Sequence, residues 1–477
     1  LDSGSFPAVS HASLTKAKSE DYHFGMQIEK GIDKLVKTLR VMILDKPGYF
    51  AKVATAIGNV GGSLGDIRLV GYGLEYNTRD VMIFADNEEH LQQIIEEVGK
   101  IDGAVISDVI DPVLELHRGG KIAVKSKVGV DSISVVRKIY TPGVAKVCKI
   151  IQAKPELARD YTAIYNTVGI VTNGTAILGL GDIGPVAGMP VMEGKAALFD
   201  SLVGINGVPI LVDSKDPAEI IATVAKIAPT FGAIKIEDIK APECFEIEDR
   251  LAGMLNIPVL HDDQHGTSIV VLAALLNVSD YVGMKVKDDT VGMIGLGAAG
   301  IGITKLLMAY GVRRMLGTDI NPVAVEIFSQ VGGKPVSLPE VMASSDIVIA
   351  TTGVPGLIRK EWIRKGQVIL ALSNPNPEIT PEDARAGGAS FAADGRSANN
   401  ALAFPGVFRG ALNARARKVN YRMKIAAAKA IRSCAPEGEL LPSILDREMH
   451  AKVAAAVERT AFETGVATPR TEELEET

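Results

Sequence analysis

Between residues 231 and 267 the chain reads FGAIKIEDIKAPECFEIEDRLAGMLNIPVLHDDQHGT, and four of its carboxylates fall in two adjacent pairs, Glu237-Asp238 and Asp262-Asp263. Each pair follows a short apolar run of strand-like composition, 233–236 and 257–260, and a helix-length segment, 241–256, separates them. That pattern predicts a strand–helix–strand unit. In a parallel unit both strand ends open on one edge of the sheet, so the four acids gather there. A single acidic pair is ordinarily a solvated loop. Two pairs at matched strand ends repel one another unless a cation holds them, and oxygen-only ligands suit Mg²⁺ or Mn²⁺ better than Zn²⁺. His261 and His265 flank the second pair at i, i+4, a zinc spacing only if a helix carries both. The run before them contains Pro258 and Gly266 follows at once, so they read as loop histidines beside the carboxylates.

Two glycine-rich loops, GLGDIG at 179–184 and GLGAAG at 295–300, compete for a dinucleotide. In the first, Asp182 would set negative charge where a pyrophosphate lies, and the chain goes on to Pro185 and Gly188 without a helix signal. The second follows the strand-like TVGMI and precedes a helical segment and the strand-like VRRMLGTD, which ends in Asp319. Gly295, Gly297 and Gly300 are therefore the expected pyrophosphate turn, with backbone N–H groups at a helix start and Asp319 on a ribose 2′-hydroxyl. The first loop is expected as a tight turn lining the other side of the cleft. A carboxylate at Asp319 favours NAD; Arg313 and Arg314, close by in sequence, would offset it and keep NADP as the alternative. The strand-like 344–351 runs into TTGVPG, which places Thr352 beside the cofactor, and 366–372 runs into SNPNPE, which carries Asn374. Asn399 and Asn400 follow a further short strand. Such asparagines donate to a carboxylate or carboxamide without adding charge; turn chemistry alone suits Asn376 better than Asn374 or Asn400.

Lys195 stands near the start of an otherwise apolar helix in PVMEGKAALFDSLVGI. A buried ammonium is costly there, so it either snorkels, the commoner case, or carries a lowered pKa. Tyr140 precedes a Thr-Pro-Gly turn that leads into a helix.

With 477 residues the chain holds two to four domains, and 47% hydrophobic with 23% charged residues is the composition of a globular enzyme. A net charge of −6 without a basic patch argues against nucleic acid. No apolar run of membrane-span length and no signal peptide is apparent, and the widely spaced Cys148, Cys244 and Cys434 suit a reducing, cytoplasmic compartment. The expected organisation is α/β. Residues 1–21 are a disordered lead or expression remnant, and 22–113 form a ferredoxin-like βαββαβ module. Residues 114–283 form an α/β catalytic domain, 284–420 a doubly wound Rossmann domain, and 421–477 a C-terminal helical segment.

YTPGV at Tyr140, GLGDIG at Gly179, EGKAALF at Lys195, IEDI at Glu237, HDDQHGT at Asp262 and Asp263, SNPNPE at Asn374 and the Asn399-Asn400 pair together resemble bacterial-type malic enzymes over residues 115–465. Residues 38–111 resemble an ACT domain, a module that commonly binds a small effector, often an amino acid, between paired copies; the alternative there is dimerisation without a ligand. The resemblance implies oxidative decarboxylation of (S)-malate to pyruvate and CO₂ with NAD or NADP and a divalent metal. It implies Glu237, Asp238 and Asp263 as metal ligands, Lys195 as base, Tyr140 as acid and Asp262 as support for Lys195. A self-complementary face on the ACT-like module and another on the catalytic part would make the protein a homodimer or higher homo-oligomer. Eukaryotic relatives carry a malate-binding arginine where this chain has Ala176, so substrate carboxylates would rest on the metal, backbone groups, Asn374 and Asn400. Two other readings are a metal-independent 2-hydroxy-acid or amino-acid dehydrogenase and a non-catalytic effector-binding regulator. The clustered carboxylates argue against the first, and the intact set of Lys195, Tyr140 and acids against the second.

Overall fold

The computed structural model describes residues 34–177 and 179–468, so the expected N-terminal lead and the acidic residues 469–477 lie outside the described residues. The described chain begins with β1 (Leu35–Leu44), α1 (Tyr49–Asn59), β2 (Ser63–Tyr72), β3 (Tyr76–Ala85), α2 (Glu88–Gly99) and β4 (Ala104–Ile110). These strands form an antiparallel sheet of order β2-β3-β1-β4, the expected βαββαβ arrangement. Alternation decides its faces: Leu39, Val41 and Ile43 of β1 are buried in a core shared with both helices. On the opposite face Arg40 makes a bidentate pair with Asp80 at 2.7 and 2.8 Å. The Asn87 side chain accepts the His90 N–H at 2.8 Å and starts α2 as a cap.

Four short helices follow: α3 (Pro112–His117), α4 (Ile133–Ile139), α5 (Val144–Ala153) and α6 (Ala158–Tyr161), none of which buries a residue. A second sheet, parallel and of order β6-β5-β7-β8, is then built from β5 (Thr167–Thr172), α7 (Pro185–Val203), β6 (Asn206–Leu211), α8 (Pro217–Ile227), β7 (Ala233–Ile236), α9 (Glu243–Met254) and β8 (Val259–His261). Here two expectations are corrected. The chain does enter a helix directly after Gly184, because Pro185 occupies the first helical position, where a missing N–H costs nothing. Lys195 consequently lies in the middle of α7 and not near its start. The GLGDIG segment itself is a tight turn, with the Gly181 and Ile177 backbones paired and the Ile183 and Gly184 N–H groups on the Gly174 carbonyl.

The chain crosses to the third sheet through α10 (Asp262–Val282). By length and composition α10 could span a membrane, which the sequence reading did not anticipate, but two-thirds of its apolar window is buried within the protein. It packs against α11 and α16 in the largest core. The third sheet is wholly parallel, of order β11-β10-β9-β12-β13-β14, the doubly wound Rossmann order. Its elements are β9 (Thr290–Ile294), α11 (Ala298–Tyr310), β10 (Arg314–Thr318), α12 (Pro322–Gln330), β11 (Lys334–Pro335), α13 (Leu338–Ser344), β12 (Ile347–Ala350), β13 (Val368–Ala371), α14 (Pro381–Ala386) and β14 (Phe391–Asp394). Helices α15 (Phe404–Asn413), α16 (Tyr421–Arg432) and α17 (Arg447–Glu463) close the shared core.

Close approach of α11 to α10 requires Gly302, since a Cβ there would stand 2.4 Å from the Gln264 carbonyl oxygen. Backbone cannot yield as a flexible side chain can. Gly302→Ala is expected to lower stability by about 1–3 kcal/mol, read as a shifted denaturant midpoint at unchanged slope; an unchanged midpoint would show that the two helices separate freely.

Candidate active site

Strands β7 and β8 are adjacent and parallel, so the acids that follow them share one sheet edge as expected. Glu237 and Asp238 leave the end of β7, whereas Asp262 and Asp263 form the first turn of α10 instead of a loop. Carboxylates at that position are favoured by the unpaired N–H groups of the helix start. Glu237, Asp238 and Asp263 each offer an oxygen within 4.8 Å of the other two, while Asp262 turns towards two lysines. Asp238 holds a left-handed backbone at φ 50°, a conformation aspartate tolerates, and its N–H donates to Asp263 at 3.1 Å. Its carbonyl accepts the Ala176 N–H at 3.0 Å, which ties the turn after β5 to the acid cluster.

Lys195 Nζ stands 3.0 Å from Glu237, 3.1 Å from Asp262 and 2.9 Å from the Asn400 amide oxygen. Asn400 opens the short 3₁₀ turn before α15; its neighbour Asn399 is spent on turn chemistry, accepting the Ala401 N–H at 2.8 Å. Gly266 makes room for this meeting, because a Cβ would lie 2.1 Å from an Asp262 oxygen and 3.0 Å from Asn400 Cβ.

A second amine, Lys235, was not singled out by sequence reasoning. It is fully buried in β7, pairs with Glu237 and lies 2.9 Å from Asp262. A signal existed: in AIKIED the two-residue period of a strand puts Lys235 on the same face as Glu237. Burial, added to by the Lys195 charge and opposed by Asp262, lowers its pKa to about 8. The face of Phe404 receives both ammonium groups, at 5.0 Å from Lys195 and 4.7 Å from Lys235.

The carboxylates bear the strain of proximity. Burial and then the charge of Asp263 raise Asp238 to about 7. Burial alone would raise Asp263 too, but the hydrogen bond and charge of His261, 3.1 Å away, hold it well down, with Lys195 and Lys235 adding to that. The residues therefore fit a divalent cation: three oxygen donors face one another, and burial and the neighbouring Asp263 charge push one of them towards its protonated form. The two histidines are not zinc ligands in this arrangement. His261 ends β8, and His265 lies on α10, not in a loop, where its Nε2 meets Glu248 at 3.0 Å and its Nδ1 meets Lys424 Nζ at 2.8 Å. Glu248 and Lys424 also escaped sequence reasoning, since both lie in helical stretches where a charge is ordinarily solvated.

On the Rossmann sheet, Gly295 follows β9 and Gly297 precedes α11. A Cβ at Gly300 would stand 2.1 Å from the Gly295 carbonyl oxygen. Asp319 accepts the Leu296 N–H at 2.7 Å, so it braces the turn from the end of β10. Arg313 and Arg314 cannot offset its charge as the sequence suggested: they stand at the opposite end of β10, and Arg314 donates to the Asp288 carbonyl. Thr352 donates both N–H and hydroxyl to the buried Glu378, at 2.6 and 2.9 Å. Asn374, half-buried after β13, approaches Gly395. Tyr140 ends α4 with 68% of its surface exposed and forms no hydrogen bond with Lys195 or the acids among the described residues.

Comparison with known proteins adds the following. A family model of the malic enzyme N-terminal domain matches residues 119–252, and one of the malic enzyme NAD-binding domain matches residues 329–462. The NAD-binding domain of D-isomer-specific 2-hydroxyacid dehydrogenases matches residues 261–356. The chain is 53% identical to NAD-dependent malic enzyme 1 of Bacillus subtilis (strain 168), over 90% of this chain and 98% of that one. It is 44% identical to the NAD-dependent malic enzyme of Geobacillus stearothermophilus, over 90% of this chain and 95% of that one. The crystal structure of malic enzyme from Pyrococcus horikoshii Ot3, 39% identical, superposes with a TM-score of 0.71 over 75% of this chain and 92% of that chain.

Burial lowers the His265 pKa from 6.5 to about 4, with Glu248 opposing and Lys424 assisting. The unfolded chain therefore takes up this proton first on acidification, and stability is lost as pH falls from 6.5 towards 4. The melting temperature of His265→Gln is expected to fall less steeply than that of the wild type between pH 6.5 and 4.5, a window above most carboxylate titrations. Parallel curves would mean that His265 is not buried neutral.

Proposed function

The chain belongs to the malic enzymes, the decarboxylating malate dehydrogenases, and from that premise we propose how its residues divide the reaction. The substrate is (S)-malate and the products are pyruvate and CO₂. NAD is the coenzyme, supported by the carboxylate of Asp319 at the end of β10 and by the absence of either neighbouring arginine from that end. Glu237, Asp238 and Asp263 hold Mg²⁺ or Mn²⁺. Bound in those places, the cation supplies Lewis acidity and the dinucleotide a hydride acceptor.

The observation that carries this reading is Lys195 Nζ, within 3.1 Å of Glu237 and Asp262 beside the trio of carboxylates. Lys195 takes the proton of the C2 hydroxyl as the carbon is oxidised. Asp262, buried and anchored by Lys235, fixes where the Lys195 amine sits. Asn400 keeps its amide N–H groups for a substrate carboxylate while its oxygen holds Lys195. Asn374 serves the same end, compensating for Ala176. Gly295, its N–H held by the Thr318 carbonyl, makes the turn, Gly297 and Gly300 bring the unpaired N–H groups at the start of α11 to a pyrophosphate, and Thr352, locked by Glu378, borders the coenzyme. Tyr140 returns a proton to C3 once CO₂ has left.

Two further readings concern assembly and regulation. The protein is a homo-oligomer, supported by α3, α4 and α5, which bury nothing and present Val113, Leu114, Leu116, Ile133 and Ile139. The N-terminal βαββαβ unit is an ACT-like regulatory module. An open cavity of about 430 Å³ between α1 and α2, lined by Gly48, Lys52, Thr55, Asn59, Glu97 and Lys100, is the place for an amino-acid effector, which would compete for Lys100 with Glu97 and for Lys52 with the Tyr49 ring. The free thiols Cys148, Cys244 and Cys434 suit a cytoplasmic enzyme.

Lys195→Ala and Asp263→Ala are expected to lower kcat by roughly 10²–10⁴-fold with the fold intact by circular dichroism, and EDTA to abolish malate-dependent pyruvate formation until Mn²⁺ is restored. Near-normal turnover in either variant, or indifference to EDTA, discards the assignment. For the regulatory unit, amino acids titrated against the full-length enzyme should shift KM or kcat, and Thr55→Trp, which fills the cavity, should erase the shift. Identical responses in both proteins would remove the cavity from regulation.

A further inference from the structure

Strand β7 has two ends. The carboxylates leave one, and Gly232, the residue before the other, borders a cavity of about 350 Å³. The cavity is thus about 15 Å from the acid cluster along the strand, and α15 spans the same interval. Phe404 at the start of α15 faces Lys195 and Lys235, while Arg409 and Asn413 near its end line the cavity.

Three guanidinium groups, Arg159, Arg409 and Arg415, line this cavity against one carboxylate, Asp160, a net charge of +2. Asp160 is already taken: Arg415 forms a two-pronged pair with it, one arm at 3.2 Å. Arg415 does so from a left-handed backbone, φ 46°, which among the described residues only it and Asp238 adopt without being glycine. That conformation closes α15, with the Arg415 N–H on the Leu412 carbonyl at 3.0 Å and the Ala416 N–H on the Ala411 carbonyl at 2.9 Å, and so sets the guanidinium at the helix end. Among the described residues Arg409 has only neutral hydrogen-bond partners, the amide oxygens of Asn166 at 2.6 Å and Asn413 at 2.8 Å. Glu458 is nearby but is engaged by the Asn413 amide at 2.9 Å. Arg159 forms no hydrogen bond or ion pair among the described residues, although it is half-buried and faces the charge of Arg415. A half-buried guanidinium without a counter-ion is unfavourable, as at Arg159 and Arg409, and its planar fork is matched to carboxylate or phosphate oxygens. The volume is that of a small-metabolite pocket.

We propose that this cavity is a second ligand site, taking a small metabolite with two or more negative charges, carboxylate or phosphate, on Arg159 and Arg409. The ligand supplies the counter-charge that Arg159 and Arg409 lack and tightens the end of α15, whose start sets the ring against Lys195. Binding there regulates turnover from outside the substrate cleft.

The experiment uses the full-length protein with inorganic phosphate and succinate as separate probes, titrated by calorimetry at constant ionic strength against chloride. Wild type should bind at least one probe saturably in the millimolar range or below. Phosphate alone would identify the phosphorylated class and succinate alone the dicarboxylate class. Lys195→Ala should bind that probe unchanged, which separates the site from the substrate cleft. Arg159→Ala should bind it about tenfold more weakly or worse, the loss of one charged hydrogen-bonded contact, and should keep the basal kcat and KM of the wild type. Saturating probe should shift KM for malate in the wild type and not in Arg159→Ala. Absence of saturable binding above the chloride control overturns the proposal, as does equal binding in Arg159→Ala. So does loss of the wild-type oligomer in Arg159→Ala by light scattering, which would assign the arginines to contact between copies. The calorimetric arms read no turnover, so they stand or fall apart from the catalytic assignments above.

Discussion

Four carboxylates brought to one sheet edge constrain everything around them. Glu237, Asp238 and Asp262 are buried and Asp263 is partly so, and in that setting their mutual repulsion is far larger than in water. The protein supplies three cationic or protonatable partners of its own, Lys195, Lys235 and His261, each within about hydrogen-bonding reach of the acids. The compensation is uneven. Asp262 and Glu237 are shared by two amines and Asp263 has His261, but Asp238 has no ion pair among the described residues, and burial followed by the Asp263 charge raises its pKa. Positive charge is short at the place where the three remaining oxygens converge.

The larger architecture serves to keep that edge facing the dinucleotide sheet. Helix α10 begins with two of the four acids and ends in the core of the Rossmann half, so one rigid element links both. Its spacing from α11, the helix that follows the pyrophosphate turn, is set by backbone contact at Gly302 rather than by adaptable side chains. Asn400 enters from beyond the last strand of the third sheet to meet Lys195 from the second. The site is therefore assembled from both halves, and neither sheet holds it alone.

Much of this was legible from periodicity and turn chemistry. The apolar runs before the acids had the length of buried strands, GLGAAG was flanked as a Rossmann turn must be, and Asp319 fell at the end of β10. What escaped is instructive. Pro185 after a glycine looked like a break, yet proline at a first helical position is a start, and the error displaced Lys195 from the middle of α7 to its beginning. His265 was read as a loop residue because Gly266 followed it, whereas that glycine is demanded by the close approach of Asp262 and Asn400. Arg313 and Arg314 were neighbours of Asp319 in sequence only, since a strand carries residues five apart to opposite edges of a sheet. Lys235 was passed over although it shares a strand face with Glu237, whereas Glu248 and Lys424 were invisible because sequence patterns treat a charge as exposed unless a partner is known, and their partners come from other segments.

The pair of lysines shows why a count of charges does not give a mechanism. Lys195 and Lys235 touch the same two carboxylates and the same aromatic ring, so electrostatics alone would let either serve as a base. Access separates them. The Lys235 side chain has no exposed surface, whereas that of Lys195 retains 13% and reaches Asn400 at the mouth of the site. A group sealed inside a strand cannot reach a substrate hydroxyl, and its charge acts only through the acids it holds. Lys235 accordingly fixes Glu237 and Asp262, and these in turn fix the amine of Lys195, so that the accessible amine is positioned by the sealed one.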